Sequence, residues 1–128
     1  MEKIKCIAMY VRDYIDAYYS TNLYFAPNNL IINLNRGKNA VYDCKVNFPE
    51  VLDLRNYVSC GNTVFELYAV ICHLGPSSMS GHFVAYCRNK MDNKWYLYND
   101  AMVTECTRFR QYTEGMPYIL FYKACKNP

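Results

Sequence analysis

Apolar positions along the chain fall into short runs, many alternating with polar residues and separated by turn-forming residues. Val64 to Leu74 is the longest run. It is rich in β-branched and aromatic residues and too short to cross a membrane as a helix, so it predicts a central strand. Phe83 to Arg88 predicts a second strand. Lys94 to Tyr98 predicts a third, antiparallel to the second across a turn at Met91-Asp92-Asn93. Met102 to Thr104 continues the sheet, and Tyr118 to Tyr122 forms a last core strand. Gly75 to Gly81, with its Gly, Pro and Ser residues, reads as a flexible loop.

Upstream the pattern is less regular. Leu30 to Leu34 predicts a short strand after a turn at Pro27-Asn28-Asn29. Val41 to Val46 predicts another after a turn at Arg36 to Asn39. Pro49 interrupts, and Glu50 to Tyr57 reads as a short extended piece closing on the core. Gly61-Asn62 is a further turn signal. Between residues 4 and 19, Ile4, Ile7, Tyr10 or Val11, Tyr14, Ile15 and Tyr18 recur near helical spacing. Their tyrosine and β-branched content weakens a helix, and a strand, a bend and a short helix fit as well. Thr107 to Glu114 predicts one or two helical turns, ended by Gly115 with Pro117 beyond. The expected fold is α+β: a mostly antiparallel β-sheet with short helices, a single domain or lobe over residues 1–128. The opening, with no clear helix cap, suits a piece of a longer chain.

Composition narrows the function classes. With 128 residues, 52% of them hydrophobic, the chain supports one sizeable core. Its 14 Tyr, 6 Phe and 1 Trp favour β structure and a recognition surface. The net charge of +3 is too mild to imply nucleic acid, and no long Lys/Arg run exists. The first residues, MEKIKC, contain no apolar stretch long enough for export or for a membrane span. The seven Cys make an odd number with no CxxC pair, which fits a reduced, intracellular protein whose thiols act as small buried hydrophobes. Zinc needs about four convergent ligands. The Cys and two His residues show no paired spacing, so neither a metal nor a cofactor is expected.

His82 opens a strand after the Gly- and Ser-rich loop, and Asn99-Asp100 closes the strand that follows. A loop-edge histidine facing an Asn or Asp from the next strand is how an imidazole becomes oriented as a general base. The same residues also fit an ordinary strand-start histidine and a plain turn. Periodicity alone does not demand catalysis.

Longer motifs decide more. Tyr68 to Gly75 followed by Ser80-Gly81-His82-Phe83-Val84-Ala85-Tyr86 resembles the histidine box of the ubiquitin-specific proteases, a papain-like family of deubiquitinases. Trp95 to Asp100 with Val103 resembles that family's next box, and Pro117 to Tyr122 its closing strand. Pro27, Leu30 to Leu34 and Arg36 resemble an earlier strand, and Phe48-Pro49 with Leu52, Leu54 and Tyr57 the segment after it. The likeness runs from about residue 27 to 123. It implies the palm-like C-terminal lobe of a papain-like cysteine protease, in which His82 is the general base, Asn99 orients it and Asp100 is the adjacent acidic position. It places His73, Gly75, Ser80, Gly81 and Phe83 in or beside the channel for the ubiquitin tail. The implied reaction is hydrolysis of the isopeptide bond after the C-terminal glycine of ubiquitin, in the cytoplasm or nucleus. The implied partners are ubiquitin or a ubiquitinated protein, together with an N-terminal lobe bearing the catalytic cysteine. No nucleic-acid or membrane partner is implied, and an isolated lobe would self-associate through the face it leaves bare.

Three departures from the family pattern stand out. The family's cysteine box lies N-terminal to all of these motifs, and this sequence has none; Cys60-Gly61-Asn62-Thr63-Val64-Phe65 echoes its Gly-Asn-Thr-Cys-Tyr by coincidence, with Val64 in the place of the Cys and a strand following instead of a helix. Cys6 is followed three places on by Met9, so a paired zinc-type cysteine set is broken. Phe83 replaces the more usual Tyr. These departures keep open a second expectation, a catalytically inactive module of the same fold that binds ubiquitin or another protein.

Overall fold

The computed structural model describes residues 2–8, 13–19, 21–36, 46–77, 80–107, 109 and 115–125. Among them are eleven strands and no helix. In chain order these are β1 (Glu2–Ala8), β2 (Asp13–Tyr19), β3 (Leu23–Ala26), β4 (Asn29–Asn33), β5 (Val51–Asp53) and β6 (Val58–Gly61). Then follow β7 (Val64–Ser77), β8 (Ser80–Arg88), β9 (Trp95–Asn99), β10 (Met102–Glu105) and β11 (Met116–Ala124).

The long apolar run becomes the strand on which the others assemble. A seven-stranded sheet has the order β10-β9-β8-β7-β11-β4, with β5 also paired to β7. β8 pairs antiparallel with β7 from Ala69 onward, whereas β5 takes Val64 to Glu66. β11 runs antiparallel along β7 from His73 back to Phe65. Two register shifts interrupt that last pairing, one at Tyr118 and one at Tyr68. The second shift changes the strict period of two. Phe65, Leu67, Val70 and Cys72 are therefore all buried to 1% exposure or less, although Leu67 and Val70 are three residues apart. Val84 and Tyr86 from β8 and Leu120 and Tyr122 from β11 join them in one core. Phe109 closes it, stacked on Trp95 with ring centroids 3.8 Å apart and planes 5° apart. The Tyr122 hydroxyl donates to the Pro49 carbonyl at 2.7 Å, so this buried phenol keeps a partner.

Of residues 4–19, the described ones, 4–8 and 13–19, form two strands and no helix. β1 and β2 pair antiparallel in unbroken register from Glu2 opposite Tyr19 to Ala8 opposite Asp13. Tyrosine and β-branched residues lose χ1 freedom in a helix and suit a pleated surface, and this preference overrides the loose helical spacing. The expected loop at Gly75 to Gly81 is largely strand: β7 runs to Ser77, and β8 starts at Ser80 with Ser77 as its partner. β3 and β6, which no sequence signal marked, form a separate two-stranded parallel ribbon. Of the expected strand over 41–46, residues 41–45 lie outside the described residues, and Val46 is not in a strand. Of the expected helical turns over 107–114, Thr107 and Phe109 sit in turns and the rest lies outside, except that Gly115 follows as a bend.

The core is one-sided, so substitutions sort by face. Leu67→Ala lowers the unfolding free energy by about 2–5 kcal/mol, whereas Val103→Ala, on the exposed edge strand, changes it by no more than about 0.5 kcal/mol. Urea titration of the two variants checks the contrast, and equal losses would contradict the assignment of faces.

Candidate functional site

Cross-strand register brings the candidate residues together. In β8 and β9, Ala85 lies opposite Tyr98 and Tyr86 opposite Leu97. Continuing that register puts Asn99 across from Val84, on the face that also carries His82 two residues earlier. Diagonal neighbours on one face of a sheet are within reach of long side chains. Here His82 Nε2 and Asn99 Oδ1 are 2.7 Å apart. An amide oxygen only accepts, so Nε2 carries the ring proton and donates it. In the neutral ring this tautomer leaves Nδ1 its lone pair. Val84, 3% exposed, forms the floor between the strands, while the His82 side chain is 43% exposed. The ring is thus held at one nitrogen and reachable by solvent.

Asp100 follows in the two-residue turn that joins β9 to β10, where Met102 pairs back to Asn99. It takes a left-handed backbone, φ +50, a conformation that Asp tolerates better than most residues with a side chain. One carboxylate oxygen, Oδ2, is 3.7 Å from His82 Nε2. Its side chain is 81% exposed, so solvent and salt screen this approach. Asn99 is the close partner and Asp100 the outer one.

The second group of candidates lies around the neighbouring face of the same hairpin. His73 is 4% exposed and pairs in register with Phe83. Their ring centroids are 4.7 Å apart. Tyr118 completes the set at 5.6 Å from His73 and 5.3 Å from Phe83, edge-on to the latter. A Cβ on Gly81 would strike the Leu74 carbonyl oxygen and the His73 ring itself. A Cβ on Gly75 would stand 2.5 Å from the Ser80 carbonyl oxygen. The two glycines let the hairpin close tightly over the His73 ring, directly before His82. Ser80 is exposed at the tip.

Sequence reasoning missed two members of this arrangement. Tyr118 reaches the aromatic set because it is the extra residue at the β11 register shift, and no sequence signal marks such a shift. Arg36, which the sequence marks only as a turn start and as part of a strand motif, sends its guanidinium across to β11. Its Nε donates to the Pro117 carbonyl at 2.8 Å, and its Cζ lies 5.9 Å from the Tyr118 ring centroid.

The thiols near the site are poor nucleophiles. Cys72 lies on the His82 face, opposite Val84, and is fully buried. Burial pushes its thiol up from 9.0 to about 12, and the positive charge of Arg36 offsets only part of that. At neutral pH it stays protonated, and the thiolate is the reactive form. Cys87 pairs with Ala69 on the opposite face, and burial pushes its thiol up too. Cys60 is exposed but belongs to β6, where its Sγ donates to the Tyr24 carbonyl at 3.0 Å. Val64 opens β7, so the stretch that echoes a cysteine box leads into a strand. Among the described residues no group of three or more His, Cys, Asp or Glu side chains is arranged to hold a metal ion.

The Cys72 shift has a consequence for stability. A thiol whose folded value is raised favours folding fully below the unfolded value and loses that contribution as pH rises through the folded value. The stability gap between the parent chain and Cys72→Ala therefore narrows between about pH 9 and about pH 12. Denaturant midpoints of both proteins at pH 7 and pH 10.5 check this, and a gap independent of pH would contradict it.

Comparison with known proteins places the chain in a family. A family model described as "Ubiquitin carboxyl-terminal hydrolase" matches residues 3–122. Ubiquitin carboxyl-terminal hydrolase 16 of Arabidopsis thaliana is 42% identical over 107 residues, which are 77% of this chain and 10% of that protein. Ubiquitin carboxyl-terminal hydrolase 2 of Gallus gallus is 35% identical over 105 residues, 76% of this chain and 29% of that protein. The chain thus spans less than a third of the length of these curated relatives. Among solved structures, the SAGA Ubp8/Sgf11/Sus1/Sgf73 DUB module bound to ubiquitin aldehyde contains a chain that superposes with a TM-score of 0.74. That match covers 100% of this chain and 31% of that one at 22% identity, a likeness of fold. The residues that hold His82 against Asn99 lie within the matched region, and this chain belongs to the ubiquitin carboxyl-terminal hydrolase family.

Proposed function

We propose that this chain is the base-bearing C-terminal portion of a ubiquitin-specific thiol protease catalytic domain, with the palm-like role that such a lobe has in a papain-like enzyme. The observation that carries the reading is the 2.7 Å contact between His82 Nε2 and Asn99 Oδ1, beside a ring that solvent can reach. The nucleophile is a cysteine from a segment N-terminal to these residues in the parent protein.

His82 Nδ1 takes the proton from that thiol, and the thiolate attacks the carbonyl carbon of the C-terminal glycine of ubiquitin. The tetrahedral adduct collapses with cleavage of the C–N bond, and the imidazolium returns its proton to the departing lysine amine. Water, deprotonated by the same Nδ1, then releases the glycine carboxylate and regenerates the thiol. Asn99 accepts from Nε2 throughout, which fixes the tautomer and the ring plane. A neutral amide suffices because a thiol ionises far more readily than a serine hydroxyl. Asp100 is the outer acidic neighbour. His73, Gly75, Ser80, Gly81 and Phe83, with Tyr118 added, border the path of the ubiquitin tail. Phe83, 54% exposed, offers an apolar wall, and the two glycines keep the hairpin backbone clear of side chains.

In the parent polypeptide carrying both halves, His82→Ala lowers kcat/KM for ubiquitin–amidomethylcoumarin by about 10²–10⁴-fold, and Asn99→Ala lowers it less. The 128-residue chain alone forms no adduct with a ubiquitin vinyl-sulfone probe. Adduct formation by the chain alone, abolished by a single Cys→Ala change, would overturn the reading. Ubiquitin binding without cleavage by the parent polypeptide would favour an inactive binding module instead.

A further inference from the structure

The far end of β8 carries a second feature. Arg88 is six residues beyond His82 on the same strand, roughly 20 Å away at about 3.3 Å per residue. A cavity of about 480 Å³ opens there. Glu66 and Tyr68 from β7, Lys123 from β11, and Arg88, Lys90 and Asn93 at the β8–β9 turn are among its lining residues.

Its charges do not balance. Arg88 is ion-paired with Glu66. Lys123 stands opposite Glu66 in the β7–β11 register, but the Glu66 carboxylate is engaged by Arg88. Among the described residues no ion pair engages Lys90 or Lys123. Lys94, the next cation along, is held by Glu105. Three cations against one carboxylate leave two positive charges around one concave space. The aromatic ring of Tyr68, 6.1 Å from that of Phe121, adds an apolar wall.

A phosphate monoester carries a charge of about −1.5 to −2 near pH 7 and offers three acceptor oxygens. A single such group brings the cavity close to neutrality, and Lys and Arg donors suit its oxygens. A monocarboxylate would leave one charge uncompensated. We propose that this cavity is a binding site for a phosphate group, separate from the His82 end of the sheet and independent of the protease reading. The group comes from a small phosphate compound or from a phosphorylated side chain of a protein partner.

The test is titration of the ¹⁵N-labelled 128-residue chain with inorganic phosphate at pH 7.5, at ionic strength held constant with chloride. Saturable amide shifts at Glu66, Lys90, Asn93 and Lys123, with His82 unmoved, are expected. Lys90→Gln with Lys123→Gln weakens the affinity at least ten-fold, and Glu66→Gln strengthens it several-fold by removing the competing carboxylate. All three side chains are exposed. Should the double variant lose its fold, the direction of the Glu66→Gln effect decides alone. A phosphoserine peptide that binds more tightly than inorganic phosphate identifies a protein source, and equal affinity identifies a small compound. Shifts that grow without saturation, shifts that chloride alone reproduces, or weaker binding by Glu66→Gln would overturn the proposal.

Discussion

Register between β8 and β9 is the constraint on which the site rests. Side chains alternate between the faces of a sheet, so a slip of one residue would carry Asn99 to the face that bears Phe83 and leave the His82 ring without its acceptor. Several contacts pin that register. Trp95 lies flat on Phe109, and Leu97 packs into the core opposite Tyr86. The turn is closed by backbone hydrogen bonds from Asn89 N–H to the Lys94 carbonyl at 2.8 Å and from Asn93 N–H to the Asn89 carbonyl at 2.9 Å. On the outer side, Cys106 N–H donates to the Trp95 carbonyl at 2.7 Å. Apolar packing at one end of the hairpin thereby sets polar geometry at the other.

The central strand links the two faces. β7 gives the core Phe65, Leu67, Val70 and Cys72, and it gives the other face His73. The shift at Tyr68 allows both. His73 and Leu74, consecutive in sequence, lie opposite Phe83 and His82, consecutive in the next strand. The aromatic set and the imidazole–amide pair are therefore rigidly coupled through two adjacent cross-strand pairs. Gly81, pressed against the His73 ring, is the joint between them. Binding and catalytic groups mounted on paired strands hold their geometry better than groups carried on loops.

Much of this was legible in the sequence. The strands from Val64 onward follow from alternation and turn residues, because the inner ones bury one face against the core; β10, exposed throughout, follows from the turn before it. His82 and Asn99 were legible as a pair because His82 lies near the start of one strand and Asn99 ends the next, where alternation fixes the face of each. The N-terminal hairpin was obscured because isoleucine and tyrosine at loose three- and four-residue intervals fit two periods at once. Gly75 to Gly81 looked like loop because glycine and serine are common in turns. Here the glycines admit close packing against His73 and let the strands continue. Tyr118, Arg36 and the parallel pairing of β3 with β6 depend on contacts between distant parts of the chain, which no local pattern records.

The most direct measurement is the tautomer of His82, read from its side-chain ¹⁵N shifts in the neutral ring. A proton on Nε2, with that preference lost in Asn99→Ala, is the expected result, because only an N–H at Nε2 can meet the Asn99 oxygen. A proton on Nδ1, or a tautomer unchanged by Asn99→Ala, would contradict the claim that this amide holds the His82 ring.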